Sequence, residues 1–219
     1  MISVSVGPVG NSVATSGHVG EVEADDGTLW QRSRLGDLDA FASLFERHAT
    51  AIYNYLFRRT GDWAVAEDLV SIVFLEAWRH RDTQIASDRV LPWLYGIATN
   101  VIRSRHRAQR RYAAALHRLP RHESEPDFAG ESDARLDAEQ QMRVLLTQLA
   151  QLPKRDQDVL VLCGWSELTY EEAAFALHIP VGTVRSRLAR ARKRMRELTS
   201  AERTQEGWNP TNTRSQPRP

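Results

Sequence analysis

The chain has 219 residues, enough for one or two domains of roughly 70 to 150 residues, and two small ones fit its segmentation best. Its net charge of +1 hides strong segregation of acids and bases along the chain, so local charge says more than the total. The single cysteine, Cys163, excludes an intrachain disulfide framework and a cysteine-rich zinc site and reads as a core filler; with no apolar run near ~18 residues and no secretory signal, a soluble cytoplasmic protein is expected, without membrane insertion.

Residues 1–28 mix Gly, Ser, Val and a few acids without periodicity, carry no Lys or Arg, and read as a disordered N-terminal tail. From Asp37 the pattern becomes helical. Leu38, Phe41, Leu44, Phe45, Ile52, Tyr53 and Leu56 recur at three- and four-residue steps, with Asp37 as N-cap and Arg58, Arg59 and Gly61 closing the helix. A second helix is predicted from about Ala64 to Arg81, burying Leu69, Val70, Val73, Phe74, Ala77 and Trp78. Asp62 reads as its cap; Glu67 and Asp68 suit either the positive end of the helix or a docking surface beside a hydrophobic ridge.

Asp82 to Arg89 reads as a loop, and Leu91 to Arg111 as a third helix with Leu94, Ile97, Ala98 and Val101 inward. Trp93 and Tyr95 sit in its first turn, followed by Asn100, Arg103, Arg105, Arg107, Arg110 and Arg111, with no acid from Val90 to His122. Aromatics followed by an arginine track suit single-stranded nucleic acid, where bases stack on rings and cations follow phosphates; the alternative is that Trp93 is a core residue and the arginines a solvated face. Between Ala113 and Arg135, Pro120, Pro126 and Gly130 break any helix, and from Glu123 to Glu139 seven acids face one Arg, as in a solvated linker. Extended, ~24 residues reach on the order of 80 Å, about two duplex turns, so two modules on this linker could read separated sites.

The second module is predicted from Asp137. Met142, Leu145, Leu146, Leu149 and Leu152 form one amphipathic helix ended by Pro153, and Asp156 to Trp165 form another with Val159, Leu160, Leu162 and Cys163 available to a core. Thr169 and Glu172 have capping-box spacing and start a short helix to Leu177. His178, Ile179 and Pro180 turn the chain into Pro180 to Leu198, where Val184, Leu188, Ala191 and Met195 form one apolar stripe and seven Arg or Lys residues fill the rest. No acid falls between Ala173 and Arg196, so a polyanion is the natural partner. Helix, tight turn and basic helix make a helix-turn-helix sized for a major groove. The seven histidines form no metal-ligand spacing, and no Gly-rich phosphate loop or nucleophile elbow occurs, so an enzyme, a metal site and a cofactor are not expected.

GDWAVAEDLVSIVFLEAWR, PWLYGIATNVIRSRHR and LTYEEAAFALHIPVGTVRSRLARARKRMREL resemble, in order and spacing, the two characteristic domains of bacterial sigma-70-family factors of the extracytoplasmic-function (ECF) group. The resemblance implies an all-α fold of two small helical domains joined by a flexible acidic linker: region 2 over residues 29–113, linker 114–136, region 4 with its helix-turn-helix over 137–199, and a disordered C-terminal tail over 200–219. It implies a sigma factor that binds core RNA polymerase and directs promoter recognition, DNA melting and transcription initiation. Glu67, Asp68, Leu69, Ile72 and Phe74 would dock on the beta-prime coiled coil. Trp93, Tyr95, Asn100, Arg103 and Arg107 would open and read the minus-10 element, and the Asp82 to Arg89 loop would hold an extruded base. Thr183, Arg185, Ser186, Arg187, Ala189 and Arg190 would read the minus-35 element, with the domain leaning on the beta flap and an anti-sigma factor masking both modules. Ser71, Ile72 and Val73 replace a more polar run of the family, and His178 stands where Gly is frequent, at a small cost. The rival readings are a one-component helix-turn-helix regulator, which would bind duplex without polymerase, and an RNA-binding or scaffold protein.

Overall fold

In the computed structural model, which describes residues 24–116 and 133–206, all regular structure of the described residues is helical. The helices are α1 (Asp26–Arg34), α2 (Leu38–Thr60), α3 (Trp63–Arg79), α4 (Val90–Leu116), α5 (Asp133–Leu149), α6 (Lys154–Gly164), α7 (Tyr170–Leu177) and α8 (Val181–Glu206), with a 3-10 turn at Ser87–Arg89. The tail expected through residue 28 lies outside the described residues as far as 23, as do residues 117–132 of the expected linker and 207–219 of the expected C-terminal tail; the rest of these three segments departs from the expectation, since 26–28, 114–116, 133–136 and 200–206 are helical in α1, α4, α5 and α8.

Helix starts follow from side-chain caps. Asp37 Oδ1 accepts the Ala40 N–H at 3.0 Å and Asp62 Oδ1 accepts the Val65 N–H at 2.9 Å, each satisfying a donor that the first turn leaves orphaned. Thr169 and Glu172 form the reciprocal capping box that opens α7. Gly61 ends α2 at φ 66°, a left-handed conformation that glycine adopts without steric cost. His178 ends α7 at φ 52° and so carries a cost that a glycine would not.

α1 was not foreseen from the sequence. Asp25 caps it through the Thr28 N–H, and its short, polar stretch holds because Leu29 and Trp30 insert into the first module at 4% and 1% exposure. Trp30 Nε1 donates to the Thr83 carbonyl at 3.1 Å and its ring meets Trp93 edge-on at 4.8 Å. α2 and α3 interlock through Phe41, Phe45 and Phe74, and Phe57 stacks on Trp63 with centroids 3.5 Å apart. α4 closes this module: Leu94, Ala98 and Ile102 are buried, and the Tyr55 hydroxyl meets Thr99 Oγ1 at 2.7 Å.

In the second module the expected stripe of the basic helix is the core seam, with Val184, Leu188 and Ala191 buried and Met195 half-buried. From α6, Val159, Val161 and Leu162 are fully buried, while Leu160 and Cys163 pack at the edge. Burial pushes the Cys163 thiol up to about 11, so it is protonated at neutral pH and weakly nucleophilic.

The two modules pack directly on each other. Glu139 of α5, nearly buried, accepts the Trp63 N–H at 3.0 Å and so sits at the positive end of α3. α4 lies along α7 so closely that a Cβ on Gly96 would come within 2.7 Å of the Ala176 carbonyl oxygen. The Arg58 guanidinium donates to the Trp165 carbonyl, and Asp158 of α6 accepts from Arg59 of α2 and Arg103 of α4.

These contacts give two expected outcomes. Gly96→Ala raises intrinsic helix propensity by about 1 kcal/mol yet wedges α4 off α7, because the opposing atom is backbone and cannot turn aside. Small-angle scattering should show a larger radius of gyration with unchanged helical circular dichroism. His178→Gly removes the left-handed strain and should raise unfolding free energy by about 0.5 to 1 kcal/mol in urea titration.

Candidate nucleic-acid interface

The basic residues of the two modules converge. α4 presents Arg103, Arg107 and Arg110, α6 presents Lys154 and Arg155, α8 presents Arg187 and α2 presents Arg59, all around one cleft of about 1000 Å³. Asp158 is the carboxylate among the cleft-lining residues, against seven Lys and Arg side chains. His106 also lines it, and burial together with the Lys154, Arg59, Arg105 and Arg110 charges lowers its pKa. Burial and the Arg59 charge likewise lower the pKa of Lys154.

The residues expected to meet the minus-10 element take different places. Asn100 and Arg107 are exposed, and Arg107 donates to Ser104 Oγ at 2.9 Å. Arg103 is 37% exposed but committed: its Nε and Nη2 donate to Asp158 Oδ2 at 3.0 and 2.7 Å. Trp93 is half-buried and packs edge-on against Trp30, so it contributes to the core of the first module. Tyr95 departs from the outer face expected for it. It is 4% exposed, edge-on to Tyr55 at 5.3 Å and hydrogen-bonded to Ser166, and burial raises its hydroxyl pKa. In this packed arrangement it offers no stacking face. The 82–89 loop is held from both sides, by Trp30 on the Thr83 carbonyl and by Arg89 5.0 Å over the Phe175 ring, with Ile85 buried between.

On α8, Arg185, Ser186, Ala189 and Arg190 are exposed and Thr183 and Arg187 half-exposed; Ser186, Ala189 and Arg190 lie opposite Val184 and Leu188, while Arg185 and Arg187 flank that seam and Arg187 lines the cleft. Ser186 Oγ turns back to the Thr183 carbonyl at 3.1 Å, and the Arg185 guanidinium lies 5.8 Å from the Tyr170 ring centroid. Arg190 reaches Asp156 at 3.3 Å while 63% exposed, a solvent-screened pair that adds little stability and is readily exchanged for a phosphate or a base.

On α3, Glu67, Asp68 and Ile72 are exposed, Ile72 at 44%, and Leu75 at 50% extends the ridge toward Phe45 of α2 at 41%. Leu69 and Phe74, grouped with the docking residues by sequence, are core at 3% and 4% and can act only by holding that ridge in place. The helical period places both on the inward face with Val70 and Val73, as found, and only the family resemblance groups them with the docking residues. Sequence reasoning also missed Asp158 and Arg59. The available signal was an acid lying on the buried face of a helix, three and four residues before Val161 and Leu162, which demands a cationic partner. Among the described residues no helix is long and apolar enough to cross a membrane, and no group of three or more His, Cys, Asp or Glu is placed to hold a metal.

Two family profiles match the chain, Sigma-70 region 2 over residues 44–112 and Sigma-70, region 4 over residues 142–195. The chain is 35% identical over 171 residues to the RNA polymerase sigma factor CarQ of Myxococcus xanthus, covering 77% of this chain and 94% of that one. It is 31% identical over 158 residues to the ECF RNA polymerase sigma factor SigL of Mycobacterium tuberculosis, covering 70% and 85% respectively. The solved structure of CnrH in complex with the cytosolic domain of CnrY superposes with a TM-score of 0.60 at 25% identity, covering 80% of this chain and 97% of that one. The sigma factor RpoE of Bartonella quintana, solved with the anti-sigma factor NepR, shares the fold with a TM-score of 0.55 at 24% identity over 73% of this chain and 96% of that one. With both regions matched in order and nearly the whole length of a sigma factor covered, the chain belongs to the sigma-70 family of RNA polymerase sigma factors, in its extracytoplasmic-function group.

Proposed function

We propose that this chain joins core RNA polymerase in the cytoplasm, without being an enzyme in itself, and directs it to promoters by reading DNA with α4 and α8. The observation that carries the reading is the match to both family regions in order, on a chain whose α4 and α8 carry the two acid-free arginine tracks. The exposed ridge of Glu67, Asp68, Ile72 and Leu75 fits docking on a polymerase helix pair, since isolated apolar side chains rimmed by acid suit a basic, apolar partner. Of the Ser71, Ile72 and Val73 departure, only Ile72 adds apolar surface to that ridge, since Val73 is buried and Ser71 is polar. Region 2 over 29–113 and region 4 over 137–199 would act as separate reading heads, with the acidic linker between them and the second head leaning on the beta flap.

On this reading the packed arrangement has to open before DNA is melted. Tyr95 is covered and Arg103 is held by Asp158 of α6, so α6 and α7 must both leave α4 to free the two residues. Extruding a base costs a few kcal/mol, which stacking at about 1 to 3 kcal/mol per base and contact with polymerase can offset. RpoE is solved with the anti-sigma factor NepR and CnrH with the cytosolic domain of CnrY, which supports an anti-sigma factor as a partner of this chain.

A run-off transcription assay with core polymerase, with and without the chain, tests the proposal; promoter-independent or absent transcription overturns it, and duplex binding without polymerase identifies a one-component regulator instead. Arg190→Ala should weaken minus-35 binding by about 1 to 3 kcal/mol in fluorescence anisotropy with holoenzyme, the range for a good base contact. Trp93→Ala should reduce permanganate reactivity of the melted region more than closed-complex affinity, whereas Trp93→Phe, which keeps a ring against Trp30, should retain most melting.

A further inference from the structure

The cleft between the modules holds far more positive charge than its own acids balance. Seven Lys and Arg side chains and His106 surround one carboxylate, and that carboxylate is already engaged by Arg59 and Arg103. Arg59 lines the cleft with its side chain 3% exposed, and its Nη1 is buried without a hydrogen-bond partner. A buried, unmatched guanidinium nitrogen is costly, so a binding site for an anion is the arrangement that would justify it. Burial lowers the pKa of both Lys154 and His106, and the neighbouring cations Arg59 and Arg110 lower both further.

The shape narrows the ligand. A cleft of about 1000 Å³ is of small-molecule size, and its walls come from both modules. Guanidinium forks bind phosphate oxygens in pairs, and among the described residues Arg107, Arg110 and Arg155 of the cleft make no ion pair, while the carboxylate that acts on Lys154, Asp158, is already engaged by Arg59 and Arg103. Leu177 and Ile179 add an apolar strip on one wall. We propose that the seam between the two modules is a binding site for a small oligophosphate anion, free or as part of a nucleotide. The site does not depend on the reading as a sigma factor. Because the ligand touches both modules, it stabilises the packed arrangement by linkage, and it competes with DNA for Arg103, Arg107 and Arg187.

The test is isothermal titration calorimetry of the full chain at physiological salt with inorganic tripolyphosphate and, separately, with ATP. One site of micromolar affinity is expected. Lys154→Gln combined with Arg110→Gln should lower affinity at least tenfold, whereas Arg79→Gln combined with Arg81→Gln, which removes the same charge outside the cleft, should change it less than twofold. ATP binding at least tenfold tighter than tripolyphosphate assigns a nucleotide with its base on Leu177 and Ile179; equal or weaker ATP binding assigns an inorganic oligophosphate. Equal losses in the two double variants, or no heat at about 1 mM of either anion, overturn the proposal. Independently of any variant, saturation with tripolyphosphate should raise the His106 pKa toward its ordinary value in imidazole NMR, and an unchanged His106 titration also overturns it.

Discussion

Asp158 has a side chain only 2% exposed, and it accepts one hydrogen bond from Arg59 and two from Arg103. Taking a carboxylate out of water is expensive unless its lone pairs are filled, and here two guanidinium groups fill them from two helices of the other module. Losing Arg59, the partner that is itself buried, costs about 3 to 5 kcal/mol, whereas Arg103 is 37% exposed and its loss costs less. Gly96 against the Ala176 carbonyl and Glu139 at the start of α3 are then contacts that a single arrangement of the modules makes together.

That arrangement has consequences for the nucleic-acid surface. α4 supplies both the core of the first module and the arginine track, and the same helix carries the seam. Its first half is therefore covered where Tyr95 and Arg103 meet α6 and α7, while Asn100 and Arg107 remain accessible. The outward face of α8 is not covered in this way: Arg185, Ser186, Ala189 and Arg190 are exposed, and the Arg190 pair with Asp156 is solvent-screened. In the packed form the outward face of α8 is thus largely presented and that of α4 partly withheld, and freeing Tyr95 and Arg103 requires α4 to separate from α6 and α7.

Much of the fold was legible because helix signals are local. Asp37, Asp62 and the Thr169–Glu172 pair mark starts within four residues, Gly61 and His178 mark ends, and the stripe of Val184, Leu188 and Ala191 recurs at helical spacing. α1 escaped because a nine-residue polar segment has no stripe of its own and is held by the Trp30 side chain docking across the module. The helical period puts Leu69 and Phe74 on the buried side of α3, where they are found, whereas the family resemblance groups them with exposed neighbours because a motif does not distinguish the residues that form a surface from those that support it.

The sequence by itself determined the all-helical class, the order of the two modules, the left-handed turn at His178 and the two acid-free arginine tracks, all of which depend on residues only a few positions apart. Only the tertiary structure decided that Tyr95 is covered and that Arg103 is occupied. It also brought seven cations around one carboxylate. The physical reason is distance along the chain: Asp158 meets Arg59 and Arg103 across 99 and 55 residues, and no helical period or local charge count reports a pairing that forms when one module packs on the other.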